Sequence, residues 1–148
     1  MILAGGVVGF GLGGLIDVIV IHHVLQWHHL ISNVVDPNSL EGLRTNIFAD
    51  GLLSTAMLLH VIVGLGLLFW VGNRNDAAWS ASTLSGSLLI GWAIFNVFDS
   101  IVNHHLLGLH HVNPGPNQLF WEVVFTVFSL TLLVVGLLLV RRGMRSKP

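Results

Sequence analysis

Apolar residues fill four long stretches of the chain, and short polar segments separate them. The stretches run roughly over 4–31, 46–72, 82–111 and 118–141. A hydrocarbon core about 30 Å thick needs about 20 helical residues, so each stretch is long enough for a tilted transmembrane helix. The pattern predicts an all-α integral membrane protein folded as a four-transmembrane-helix bundle.

The segments between the stretches are rich in residues that end helices. They comprise 32–45 with Asp36-Pro37-Asn38, 71–80 with Gly72-Asn73, and 112–117 with Pro114-Gly115-Pro116. Such clusters are typical of turns. None of them is long enough to be a further domain, so we expect residues 1–148 to form a single membrane domain.

One polar motif, Asp-x4-His-His-x4-His-His, occurs in both the first and the third stretch. Its two copies, 82 positions apart (17 to 99), are Asp17, His22, His23, His28 and His29, and then Asp99, His104, His105, His110 and His111. The repeat indicates a duplicated two-helix hairpin. Because each half has two spans, the copies have parallel topology, and we expect a pseudo-twofold axis along the membrane normal.

Composition agrees with a membrane protein and excludes several functions. Hydrophobic residues make up 53% of the chain and charged residues 9%, against about 25% charged in soluble domains. The net charge of -1 gives no footprint for nucleic acid. The absence of cysteine excludes disulfides, thiolate metal sites and iron–sulfur clusters.

Positive charge collects at one end of the predicted helices. Arg74 of the middle loop and the tail from Arg141 to Lys147 share that end, whereas Arg44 stands alone at the other. The positive-inside tendency then places both termini in the cytoplasm. The histidine motifs, at the C-terminal ends of outward-running helices, are expected near the extracytoplasmic face.

Ionisable side chains in a membrane helix cost about 2.5–3.5 kcal/mol each, and they usually face the protein interior and have a function. On a helical wheel Asp17, His22, His28 and His29 share one sector, whereas His23 lies opposite. The same arithmetic separates His105 from Asp99, His104, His110 and His111. His23 and His105 are therefore the weaker candidate ligands.

Spacing suggests two levels of metal ligands, because His22 and His29 are separated by about 10.5 Å of helical rise. The shallow level comprises His28, His29, His110, His111, Asp50 and Glu122, and the deep level comprises His22, His104 and His60. Asp17 and Asp99 are expected to be ligands of the deep site or acceptors that orient its imidazoles.

Alternative interpretations of these residues remain open. His60 alone can equally be a structural residue. His29 and His111 can face lipid headgroups, and hydrogen-bonded helix packing or proton relay can also explain the paired histidines. A polar seam of Asn96, Asp99, Asn103 and His110 is expected to line the bundle centre.

Imidazole with carboxylate suits iron, copper(II) and zinc, and we expect two or more ions, with copper or iron favoured. The corresponding function is a redox metalloenzyme acting on oxygen, a quinone or another lipid-soluble molecule. A metal or proton conduit and a protein with b-type haem, which is less favoured, are the alternatives. The lipid bilayer is the expected partner, and a homo-oligomer is compatible with the sequence.

Three motifs carry a resemblance to a known family: Asp17-x4-His22-His23-x3-Trp27-His28-His29, Asp50-Gly51, and His104-His105-Leu-Leu-Gly-Leu-His110-His111. Over nearly its whole length the chain resembles a bacterial membrane family catalogued as domain of unknown function 2243. The resemblance implies a four-helix, histidine-rich protein of a bacterial cytoplasmic membrane. It also implies that Gln is common where His23 stands, and His where Ser54 stands, a ligand position that this chain has transferred to His60.

Overall fold

The computed structural model describes residues 1–74 and 80–145, and in these ranges the chain is helical without strands. Its helices are α1 (Ile2–Asp17), α2 (Leu40–Gly72), α3 (Ala81–Asp99) and α4 (Gln118–Arg145), and π-helical segments Val18–Val24 and Ser100–Leu106 continue α1 and α3. All four helices are long and apolar enough to cross a membrane. The predicted all-α, four-span class is thus confirmed.

The first and third spans end earlier than the hydrophobic pattern predicted. They stop at Val24 and Leu106, so the expected ends at 31 and 111 are corrected. The residues that follow are apolar or histidine except for Gln26, and they form non-helical chain. α2 begins earlier than expected, at Leu40, because the Ser39 hydroxyl accepts a hydrogen bond from Gly42 N at 3.0 Å and caps the helix. Loop positions 75–79 and Lys147 lie outside the described residues.

The two helices that carry the histidine motif pack together at the centre. α1 contacts α3, while α2 packs on the far side of α1 and α4 on the far side of α3. Half of the apolar window of the first span is buried, compared with 11% of the window of α2. The flanking helices therefore face mostly outward, and the motif helices form the interior.

Glycines allow α1 and α3 to approach closely. A Cβ on Gly9 would collide with the backbone carbonyl of Leu88, and one on Gly91 would collide with that of Gly6. Small residues at such positions let membrane helices pack backbone to backbone. The two contacts are equivalent, because Gly91 corresponds to Gly9, and Leu88 to Gly6, after a shift of 82 residues. The orientation of a symmetry axis relative to the membrane stays a prediction.

Candidate metal centre

Four imidazole rings meet at the end of the molecule where the motif helices stop. Ring centroids lie 4.5 Å apart for His22 and His28 and 4.7 Å apart for His104 and His110. His28 and His110 stack across the middle at 4.3 Å. All four side chains are buried, with at most 5% of their surface exposed. We call this set the histidine cluster.

The π-helical segments bring two aspartates onto the histidine face. In a π-helix hydrogen bonds span five residues, so residues five apart share a face, whereas an α-helix would separate them by about 140°. Asp17 Oδ2 lies 3.4 Å from His22 Nε2, and Asp99 Oδ2 lies 2.9 Å from His104 Nε2. The wider turn thus adds a carboxylate beside each inner histidine.

Each π-helical segment ends in a sharp reversal of the chain. Gln26 has φ of 52° and Gly108 has φ of 60°, both in the left-handed region that favours glycine. The reversal carries His28 back beside His22 and His110 back beside His104. The glycine at 108 is a helix-stop signal that can be recognised in the sequence, but Gln26 carries no such signal.

Carboxylates from the flanking helices hold one nitrogen of each inner histidine. His22 Nδ1 donates to Asp50 Oδ1 at 2.7 Å, and His104 Nδ1 donates to Glu122 Oε2 at 2.9 Å. Such bonds fix the tautomer and the ring orientation of metal-binding histidines. The Nε2 atom of each ring is thereby left for another partner.

The other two rings of the histidine cluster are held across the two halves. His28 Nδ1 donates to the Val112 carbonyl at 2.8 Å, and His110 Nδ1 donates to the Leu30 carbonyl at 2.9 Å. A carbonyl only accepts, so both Nδ1 atoms carry a proton. Burial is the main cause that lowers the pKa of His28 to about 2. His28 therefore stays neutral, with a free electron pair on Nε2.

The remaining nitrogens of the cluster make no hydrogen bond of good geometry, although carboxylate oxygens of Asp17 and Asp99 lie 3.4 Å and 2.9 Å from two of them. Within the described residues this holds for four buried atoms, the Nε2 atoms of His22, His28, His104 and His110. Buried polar atoms without partners are rare and costly. Ring nitrogens and carboxylate oxygens that converge in one buried space fit a cation.

Two sets of three side chains have ligand atoms that all lie within 4.8 Å of one another and could hold a metal ion. They are His22, His28 and His110, and then Asp99, His104 and His110. His110 belongs to both sets, and its Nε2 lies 3.6 Å from Asp99 Oδ2. Buried His/Asp groups able to bind metal are therefore present where the repeated motif predicted them.

Asp50 and Glu122 each collect three hydrogen bonds. Asp50 accepts from His22 and His29 Nδ1, both at 2.7 Å, and from Leu30 N at 2.9 Å. Glu122 accepts in the same way from His104, His111 and Val112. Both carboxylates thus orient rings and backbone. Direct metal binding by Asp50, Glu122, His29 and His111 stays a prediction.

The structure does not have the two levels of ligands that helical rise suggested. The rings of His22 and His29 are 6.5 Å apart, because the chain leaves the helix after Val24 and the assumed rise does not apply. His60 lies away from the cluster, exposed, with its Nδ1 bonded to the Ala56 carbonyl of its own helix. His23 and His105 are exposed, as the wheel indicated.

The sequence did not indicate the backbone groups that complete the site. The carbonyls of Leu30 and Val112 hold His28 and His110, and every residue type has such a carbonyl. The polar seam is found in part: Asn96 and Asp99 are buried, and Asn103 donates to Asp99 Oδ1 at 2.7 Å. His110 reaches the seam from the non-helical segment.

Comparison with known proteins identifies a family. The family model described as predicted membrane protein (DUF2243) matches residues 4–143, and the chain belongs to this family. No curated protein and no solved structure matches the chain.

Proposed function

We propose that this membrane protein of the DUF2243 family is a metalloprotein that holds two transition-metal ions in its histidine cluster and works as an oxidoreductase. One observation carries the proposal. Four buried Nε2 atoms and the carboxylates of Asp17 and Asp99 converge, while each Nδ1 atom of the same rings is held by a carboxylate or a carbonyl. This is the arrangement in which imidazoles bind metals.

The donor set favours iron or copper, with zinc as the alternative. Asp99, His104 and His110 supply two imidazoles and one carboxylate, a combination that suits non-haem iron(II) with positions left for other ligands. His22 and His28 supply two further imidazoles, which suit copper or zinc, and the one free nitrogen of His110 can join either set but not both. A bound iron or copper ion would supply one-electron chemistry.

Charge supports two ions. Four buried carboxylates surround the cluster, and the ion pairs they make within the described residues are with histidine. Arg44, on the same side of the membrane domain, is exposed. With neutral imidazoles, two divalent cations balance four carboxylates, Asp17, Asp50, Asp99 and Glu122.

Haem fits this space poorly. Axial binding by two histidines needs an open slab for the macrocycle between their rings. The four rings of the histidine cluster instead pack against one another. His28 stacks on His110 at 4.3 Å, and each of these two rings lies within 4.7 Å of an inner histidine. The geometry therefore supports a non-haem centre.

The location we propose is a bacterial cytoplasmic membrane, with the metal centre toward the extracytoplasmic side. Arg141, Arg142 and Arg145 end α4 at the face opposite the histidine cluster, and Arg74 follows α2 at that same face. An excess of Arg and Lys marks cytoplasmic loops. Both termini then lie in the cytoplasm.

The test is elemental analysis, with optical and EPR spectra, of protein purified without added metal. We expect about two iron or copper ions per chain. The His22→Ala/His104→Ala variant should lose them, whereas the His23→Ala/His105→Ala variant, with as many histidines removed from neighbouring positions, should keep them. Absence of tightly bound metal in the wild type would overturn the proposal. A colourless, zinc-loaded protein would retain the metal centre and reject the redox role.

A further inference from the structure

A cavity of about 230 Å³ lies below the histidine cluster in the cleft between α1 and α4. Its floor is formed by Trp92 and Asn96 of α3. The cleft exists because α1 and α4 both pack on α3 and make no extended contact with each other. Trp27 and Trp121, with ring centroids 4.6 Å apart, join the two sides near the histidine end.

Asn96 borders this cavity, and its buried side-chain amide makes no hydrogen bond within the described residues. Its side chain is 1% exposed, and neither Oδ1 nor Nδ2 bonds to any described residue. A buried amide left unpaired costs about 1–3 kcal/mol. The equivalent position in the first half, 82 residues earlier, is Gly14, so helix packing in the repeat does not require an amide here.

The walls of the cavity suit a flat ring that arrives from the bilayer. Trp92 and Phe128 meet edge to face at 5.7 Å and form one aromatic side. Ile16, Val20 and Phe128 are each about two-fifths exposed on the apolar outer surface, at 38%, 40% and 43%. The opening is therefore apolar and lies along the spans, and a ligand can enter from lipid.

The cavity also reaches the proposed metal centre. Asp17, which lies 3.4 Å from His22 Nε2, is part of its wall. Phe125 lines the cavity as well, and its ring centroid is 5.9 Å from that of His104. A ring held here sits next to the residues that would bind metal.

We propose that this cavity binds the ring of a membrane-soluble hydroquinone or phenol, whose hydroxyl group pairs with the Asn96 amide. The amide offers both a donor and an acceptor, which matches a hydroxyl group. A cavity of about 150 Å³ holds a benzene ring, so the present volume accommodates a ring with several substituents. The role of this ligand as a substrate rests on the proposed redox function, whereas its binding does not.

The test compares two ligands of the same shape on the full-length protein in detergent under anaerobic conditions. Tetramethylhydroquinone carries two hydroxyls, and tetramethylbenzene carries none. Binding is followed by calorimetry and by tryptophan fluorescence, to which Trp92 in the cavity floor contributes. We expect tetramethylhydroquinone to bind at least about tenfold more tightly, because only its hydroxyls satisfy Asn96.

The Asn96→Leu variant should remove this preference and keep the metal content. Its thermal stability should stay the same or rise, since an unpaired buried amide is lost. The control is Ser87→Ala, which removes a buried hydroxyl from the same helix, where that hydroxyl bonds to the Leu84 carbonyl of α3 itself. Ser87→Ala should keep the preference. A Phe128→Ala variant, which opens the aromatic side, should weaken binding of both ligands.

Equal binding of the two ligands, no binding of either, or an unchanged preference in Asn96→Leu would each overturn the proposal. Metal analysis of the same samples separates the two proposals. Ligand preference without bound metal would reject the metal function alone, and bound metal without ligand preference would reject the cavity assignment alone.

Discussion

The two halves of the molecule, 2–72 and 81–145, hold the same histidine motif with different surroundings. In the first half Asp50 is fully buried and bonds to His22 and His29 at 2.7 Å. In the second half Glu122 bonds to His104 at 2.9 Å and His111 at 3.3 Å. The pattern of contacts is thus the same in both halves, whereas the acidic residue and the lengths of its hydrogen bonds differ.

The halves also differ below the cluster. The second half places Asn96 where the first has Gly14, and Trp92 where the first has Phe10. An apolar cavity beside α4, bordered by the buried Asn96, is the result. On the other side His60 of α2 lines an apolar cavity with Phe10, farther from the cluster. The comparison teaches that the repeated motif supplies the histidine cluster, whereas single differences between the halves give each cleft its own lining.

The comparison is tested most severely by removing the two stacked histidines one at a time. His110 belongs to both candidate ligand sets and His28 to one. The one free nitrogen of His110 can bind one ion, and its ring also packs on His28. We therefore expect His110→Ala to lose one ion and to weaken binding of the other, and His28→Ala to lose one ion alone, as measured by the metal-to-protein ratio. Equal losses would mean that the two halves contribute equally and that the difference between the sets has no effect on binding.

Replacing the orienting carboxylates should have the next largest effect. Removal of a hydrogen-bond partner behind a metal-binding histidine typically costs about 10–100-fold in metal affinity. Asp50→Asn is expected near the upper end and Glu122→Gln nearer the lower, because the bonds of Asp50 are shorter. Competition with a chelator measures both affinities. A larger loss in Glu122→Gln would contradict the order inferred from the distances.

The helix contact at the centre should respond equally in both halves. Gly9→Ala and Gly91→Ala each press a methyl group on a backbone carbonyl of the facing helix, and we expect each to destabilise the fold by about 1–3 kcal/mol. Gly51→Ala is the control, since a Cβ there meets nothing within 4 Å. Thermal unfolding in detergent compares the three. Unequal effects of Gly9→Ala and Gly91→Ala would show that the reciprocal contact is not equally important on both sides.

The smallest effect is expected at the chain reversals. Gly108→Ala puts a Cβ on a left-handed residue and should cost about 1 kcal/mol. Gln26→Gly relieves the same conformation but adds freedom to the unfolded chain, so we expect a change within about 0.5 kcal/mol. The same unfolding experiment measures both. A strong loss in Gln26→Gly would indicate that the Gln26 side chain itself stabilises the turn.

Hydrophobicity predicted the number of spans, and the repeat predicted which side chains meet, because both depend on residue type and spacing. The ends of the motif helices could not be predicted in this way. Apolar residues and histidines continue past Val24 and Leu106, and although Gly108 is a helix-stop signal, the left-handed turn at Gln26 has none. The assumption of a continuous helix then gave two ligand levels, where the reversal instead brings the first histidine of each pair into one cluster.

His28 is bonded to the Val112 carbonyl and His110 to the Leu30 carbonyl, so each half of the chain completes the cluster of the other. This has a consequence for the order in which the protein can assemble. During synthesis the first two helices can enter the membrane before the second pair exists. At that stage His28 lacks its acceptor, and His110 has not been made. The complete cluster can form only after both hairpins have been made, so a partly made chain lacks the site in which we propose that metal binds.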